Sequence, residues 1–454
     1  MEKQKLFEEV AVPKAVLTLA VPTILSSLVM VLYNLADTYF VGMLNDPIQN
    51  AAVTLAAPVL LAFNAINNLF GVGTSSLMSR ALGRRDYDTV ARASAFGFYC
   101  TVFFGVLLSL GCGLLRDPLL VLLGARPENL APTGAYLHWT TVCGAVPSIL
   151  NVVLAYLVRS EGSALHASIG TMSGCLLNIV LDPLFILPQG LNMGAAGAGC
   201  ATFLSNCVAC GYFFVLLFVQ RGKTFVCIDP RKFGFDREIM LGIFAVGIPA
   251  SIQNLLNVTG MTILNNFAAA FGSDAVAAMG IAQKLNNIPF QIALGASQGV
   301  MPLVSYNYAS RNIPRMKQAF LFTARIAVSF LLLMSITYFL LATPLITAFM
   351  DNPLIVEYGT KFLRGFCLAL PFLGVDFLAV GTFQAIGQGR LSLVFAILRK
   401  IVLEIPALFL LNYLVPLFGL GYAQFAAEFV LSLIAVAVLV RLFRNLQQTV
   451  PVTE

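Results

Sequence analysis

The chain has 454 residues, of which 59% are hydrophobic and 11% charged, with a formal net charge of +6. An ordinary soluble domain is roughly 45–50% apolar and about 25% charged, so this composition argues against a water-soluble enzyme or a separate catalytic head. A crossing helix needs about 20 apolar residues, and the length predicts about twelve crossings with short connections.

The opening stretch from Lys3 to Lys14 mixes Lys5, Glu8 and Glu9 with apolar positions and reads as a membrane-surface segment or a frayed end. The first apolar run, 16–41, is too long for a signal-peptide core and ends without a cleavage site, so it is expected to be a retained span. Runs of spanning length follow at 51–78, 93–115, 132–157, 165–188 and 195–219. After a basic stretch they resume at 239–270, 275–303, 320–349, 361–384, 391–415 and 418–441. The expected organisation is an N-terminal lobe of six helices at 1–219, a linker at 220–238 and a C-terminal lobe of six helices at 239–454.

Most of the 27 Lys and Arg fall in alternate connections, while the others hold only Arg116, Arg126, Lys361 and Arg364. The positive-inside rule then puts both termini in the cytoplasm of a multi-pass protein of the cytoplasmic membrane. Contact with anionic lipid accounts for the positive charge, and no nucleic-acid partner is implied. The nine cysteines sit mostly inside apolar runs, so no disulfide framework is expected. Cys207 and Cys210 form a C-x-x-C within a predicted helix, without the further ligands that a zinc site needs. Neither a metal centre nor a bound cofactor is expected.

The two halves repeat one another. Residues 51–93 align without a gap on 277–319, matching Gly73 to Gly299, Leu77 to Leu303, Ser79 to Ser305 and Arg85 to Arg311. Pro22 matches Pro249, Pro147 matches Pro371 and Gly194 matches Gly419. Each half holds an even number of spans, so the copies share one orientation in the membrane and are related by an axis along its normal. The expected fold class is all-α integral membrane: twelve transmembrane helices in two pseudo-symmetric six-helix bundles around a central cavity. Pro22 and Pro249 are expected to kink spans one and seven. Gly194, Gly197 and Gly199 follow no strand and read as close helix packing rather than a dinucleotide fingerprint.

Ionisable residues inside spans are costly and usually face the protein interior. Asp37 lies near the outer end of span one, with Asn34 one turn away. Asn178 and Asp182 on span five are four residues apart and share a face; Thr202 and Asn206 repeat that spacing on span six. Given the alternating direction of the spans, Asp37, Asp182 and Thr202 lie at one depth. Asn64, Asn67 and Asn68 of span two could bond the carboxylates, line the same pocket, or simply bond helix to helix. Two carboxylates in a poorly solvated lobe are expected to hold a proton, or a monovalent cation on the oxygens of Asp37, Asn178, Asp182 and Thr202. The second half carries Lys284, Asp376, Arg399, Lys400, Glu404 and Glu428, whose mixed signs suggest internal pairing. Asp376 and Lys284 lie deepest and are candidates for solute contact.

The segments LADTYFVG (35–42), SRALGRRD (79–86), NIVLDP (178–183), NMGAAGAGCATFLSN (192–206) and FQAIGQG (383–389) together resemble the multidrug and toxic compound extrusion family over essentially the whole chain. Within it the chain is most similar to the bacterial branch of the MepA and DinF types. The resemblance implies a V-shaped cavity between lobes and export of varied, often cationic organic compounds, driven by inward H⁺ or Na⁺. By motif match it puts the cation site on Asp37, Asn178, Asp182 and Thr202. The NorM-type branch has a glutamate in span seven where this chain has Asn257, and Asp376 falls near that branch's span-ten acid.

The expected partners are small organic substrates and membrane lipids, with the protein a monomer. A lipid-linked oligosaccharide flippase of the same superfamily is the alternative, and it calls for a strongly cationic cavity unlike this acidic, amide-rich first lobe. A membrane enzyme is disfavoured because His138 and His166 are predicted on opposite sides.

Overall fold

A computed structural model gives the fold and describes residues 2–449; Met1 and the last five residues of the expected C-terminal lobe lie outside the described residues. Among the described residues every regular element is helical. Large side chains such as Phe103, Leu107, Leu110 and Phe218 are more than half exposed, which suits a surface solvated by lipid rather than water.

Among the described residues, eight helices are long and apolar enough to cross a membrane. Two further crossings are helix pairs bent at a short break, Leu130–Cys143 with Ala145–Ser160 by 50° and Pro353–Cys367 with Leu370–Ala385 by 47°. These are spans four and ten, and the breaks precede the repeat-related Pro147 and Pro371. The remaining two of the twelve are Ser273–Ala309 and the continuous helical stretch 389–414. Their apolar pattern is interrupted by residues that face protein: Gln283, Asn286 and Asn287 in span eight, and Arg399, Lys400 and Glu404 in span eleven.

Spans one and seven are continuous helices through Pro22 and Pro249, as Val12–Met43 and Arg237–Ala269. One difference from the sequence expectations has a local cause. The predicted run 320–349 is two elements, Ile313–Leu340 and a short helix Ala342–Phe349 with Pro344 in its first turn, where proline is tolerated.

The chain forms two compact units. The first is Leu25–Ser251 with the first few residues of the chain, and the second is Lys5–Ile24 with the chain from Ile252 onward. The divisions fall two residues beyond Pro22 and Pro249, inside spans one and seven, whereas the sequence repeat suggested a division in the linker. Close packing within each unit explains this. In the first unit a Cβ at Gly73 of span two would collide with the Ile243 carbonyl of span seven, and the Ser251 hydroxyl donates to the Ala65 carbonyl at 2.7 Å. In the second unit a Cβ at Gly299 of span eight would lie 2.7 Å from the Ala20 Cα of span one. Small residues let backbones approach in a bilayer, and the repeated glycine is used the same way in both units.

The repeat recurs in backbone detail. Arg85 and Arg311 both take φ near +60°, at 58° and 64°. The Ser79 hydroxyl donates to the Ser160 carbonyl at 2.9 Å, and its counterpart Ser305 donates to the Ala385 carbonyl at 2.8 Å.

Candidate functional site: a carboxylate cluster in the first unit

Spans five and six, Ala164–Ile186 and Ala195–Val219, pack along their length in the first unit. Gly174 makes this possible, since a Cβ there would already touch the Ala209 Cβ and the Ser205 carbonyl at 3.0 and 3.1 Å. One turn further on, Asn178 comes beside Thr202, because side chains four apart share a face. With the Asn178 amide nitrogen turned to the carboxylate, it donates to both Asp182 oxygens at 2.9 Å. Its oxygen then accepts from the Thr202 backbone N–H at 3.2 Å and from the Thr202 hydroxyl at 3.1 Å. This orientation satisfies both ends of the amide, which is the ground for assigning it.

Asp182 is fully buried and Asn178 nearly so, while Thr202 and Asp37 are half-buried. Asp37, from span one, lies within electrostatic reach of Asp182, and its buried Oδ1 has no hydrogen-bond partner. Sequence reasoning missed two tyrosines here. Tyr33, one turn before Asp37, lies beside Thr202, and Tyr136 of span four is within electrostatic reach of both Asp37 and Asp182. Tyr136 is also part of the apolar cluster of Val41, Ala52, Ile186, Ala195 and Ala198, which draws spans one, two, four, five and six together around the carboxylates.

The other amides of this unit are placed differently. Asn68 donates to the Asn64 main-chain carbonyl at 2.8 Å, one turn back. Asn67 is buried with its Oδ1 unpartnered, on the π-helical turn Asn67–Val72. Asn206 accepts from Asn151 of span four at 3.2 Å, a helix-to-helix bond. Asn34 and Asn64 are exposed on their helices.

In the second unit, the mixed charges pair as the sequence suggested. Arg399 donates to Glu428 through Nε at 2.6 Å, and Lys400 pairs with Glu404 at 2.6 Å. Arg399 also lies 4.7 Å from the Phe377 ring centre. Asp376 is buried close to Glu428 and within electrostatic reach of Arg399, and neither of its carboxylate oxygens has a hydrogen-bond partner. A cavity of about 130 Å³ is lined by Asn257, Gln283, Asn286, Asn287 and Gln424 together with Arg399, Lys400 and Glu404. Lys284 is exposed and does not line this cavity. One residue is about 100° of helix, and it is the neighbouring Gln283 that faces inward.

The comparisons with known proteins agree with this architecture. The MatE family model matches the chain twice, over residues 22–184 and 249–410. The multidrug export protein MepA of Staphylococcus aureus is 34% identical over 434 residues, which is 95% of this chain and 94% of that protein. The protein of the same name from Staphylococcus saprophyticus is 33% identical over 437 residues, with the same coverage of 95% and 94%. An outward-facing multidrug resistance MATE family transporter of the MOP superfamily superposes with a TM-score of 0.92 at 28% identity, covering 99% of each chain. A MOP superfamily transporter from Pyrococcus furiosus, described as having a binding pocket of reverse polarity, gives 0.91 at 27% identity, also over 99% of each chain. These MATE structures have twelve helices in two lobes. The paired match of the family model to the two sequence halves, and the similarity to relatives along nearly the whole length, place this chain in the MATE family of membrane transporters.

Proposed function

We propose that the protein exports small organic compounds, often cationic, by alternating access, and that inward movement of H⁺ or Na⁺ drives the export. The cation binds at Asp37, Asn178, Asp182 and Thr202. The observation that carries this reading is the buried, unpartnered Oδ1 of Asp37 within electrostatic reach of Asp182. A buried carboxylate oxygen left without a donor is costly, and a bound proton or cation supplies what is missing. An ion that neutralises the pair removes a repulsion between spans one and five, so its binding energy differs between arrangements of those helices. That difference is what couples occupancy to shape.

Asn34, Asn64, Asn67, Asn68 and Asn206 in the first half, and Asn257, Lys284 and Asp376 in the second, are candidate solute contacts. Among them Asn257 has the strongest support, since it faces the cavity of the second unit. The charge bias of the connections supports cytoplasmic termini, and the protein acts as a monomer among lipids. A flippase for lipid-linked diphosphates is disfavoured, because Arg399 and Lys400 are each neutralised by a glutamate.

The test is efflux of a fluorescent organic cation from vesicles containing the purified protein, under a pH gradient and separately under a sodium gradient. Asp37→Asn and Asp182→Asn should each abolish gradient-driven efflux while insertion and thermal stability stay near wild type. Driven transport at the wild-type rate in both variants would rule out this site.

A further inference from the structure

Within the second unit, spans nine, ten and twelve frame a groove of about 420 Å³ whose two ends differ in chemistry. Lys317 near the start of span nine, with Arg444 and Gln447 near the end of span twelve, form one end. From there the wall is apolar: Phe320 and Ala324 continue along span nine, Val440 and Val436 lead back along span twelve, and Val375 of span ten completes it. At 1.5 Å per residue, Lys317 to Ala324 and Arg444 to Val436 give an apolar sleeve about 10–12 Å long below the charges. The rings of Phe320 and Phe443, 5.5 Å apart and both buried, anchor the two helices to each other beside it.

Neither Lys317 nor Arg444 has an ion-pair partner among the described residues. The buried cations of the same unit behave otherwise, since Arg399 and Lys400 each hold a glutamate. Two unpaired cations over an apolar sleeve match an amphiphile with an anionic head. A water-soluble anion has no use for the sleeve, and a zwitterionic lipid neutralises its own phosphate. Basic pockets between membrane helices at the inner leaflet are where anionic headgroups bind, and the charge bias assigns this end of both spans to that leaflet.

We propose that this groove is a binding site for an anionic phospholipid, with its phosphate between Lys317 and Arg444 and an acyl chain along the wall of spans nine and twelve. The site is independent of the carboxylate cluster, so the coupling reading can fail without affecting it.

The test uses the full-length protein in vesicles of equal phosphatidylglycerol and phosphatidylcholine, followed by extraction and quantification of the lipids that stay bound. The wild type should retain phosphatidylglycerol over phosphatidylcholine roughly tenfold or more, given about 1 kcal/mol per basic residue near an anionic surface. The double variant Lys317→Gln/Arg444→Gln should lower that ratio to about one. Ala324→Phe leaves both charges in place but fills the sleeve, and should also lose the retained phosphatidylglycerol. In a second arm, a photoreactive phosphatidylglycerol on the wild-type chain should label peptides of spans nine and twelve, a readout that does not depend on any variant folding. Unchanged selectivity in the double variant, labelling elsewhere only, or displacement of the lipid by millimolar inorganic phosphate would each overturn the proposal.

Discussion

Asp86 and Asn312 occupy equivalent places in the two repeats and begin spans three and nine with different chemistry. Asp86 accepts from the Thr89 backbone N–H at 3.2 Å and the Thr89 hydroxyl at 2.6 Å, while Asn312 accepts from the Arg315 N–H at 3.3 Å. The Thr89 hydroxyl bond, then the Thr89 N–H and the nearby Arg84 and Arg92, hold the Asp86 carboxyl below the ordinary range. A depressed folded value means the contribution is present above the unfolded value of about 3.9 and is lost as pH falls through the folded one. Replacing either cap by alanine should cost about 1 kcal/mol at neutral pH. In thermal unfolding across pH, the gap between wild type and Asp86→Ala should close below about pH 4, whereas that for Asn312→Ala should persist.

The Arg399–Glu428 pair gives a second test on single side chains. Arg399→Met leaves Glu428 buried beside Asp376 without its cation, and should cost about 3–5 kcal/mol. The double change Arg399→Met/Glu428→Gln should be less damaging than the single one, read as the unfolding midpoint in detergent. Residue spacing made much of the carboxylate cluster legible. Asn178 and Asp182 are four apart on one helix, and the matched depth of Thr202 brought in span six. Tyr33 could have been found by the same rule, being four residues before Asp37. Tyr136 carried no signal, because its place depends on how span four bends and packs.

At the scale of the helix, Gly73 and Gly299 explain why a glycine recurs at one repeat position. Each lets span two or span eight meet a neighbour backbone to backbone. Gly73→Ala and Gly299→Ala should each cost about 1–3 kcal/mol through overpacking. Gly111→Ala is the control, because open space surrounds it, and its effect should be neutral or slightly stabilising. Thermal unfolding of the three variants side by side is the measurement. The sequence placed the helices well where apolarity was unbroken. Spans eight and eleven were visible as apolar runs only with their polar residues overlooked, and those polar residues turn out to face the interior. The bends of spans four and ten were half legible, since the paired prolines at 147 and 371 marked them, but Pro22 and Pro249 gave the same signal inside helices that continue unbroken. Proline removes one hydrogen bond in both cases; whether the helix breaks depends on its neighbours.

For the whole protein, the charge distribution predicts which connections face the cytoplasm. A fluorescent reporter fused after residue 449 or inserted in 220–236 should fluoresce, and a periplasmic phosphatase reporter should be active only at sites such as 116–129. Activity in the opposite pattern would reverse the orientation. The repeat revealed two six-helix halves, but it could not show that each compact unit takes in the opening part of a helix from the other half's sequence. That is a long-range packing fact with no local signature, although Gly73 and Gly299 are its visible trace.

That exchange bears on how the protein is made. When residues 5–24 leave the ribosome, the backbone that Ala20 packs against, at Gly299, has not been synthesised. The first membrane helix must therefore wait in the bilayer with one end uncommitted while seven others are inserted. An N-terminal fragment stopping in the linker would never receive its counterpart, and should be degraded unless the C-terminal fragment is supplied beside it.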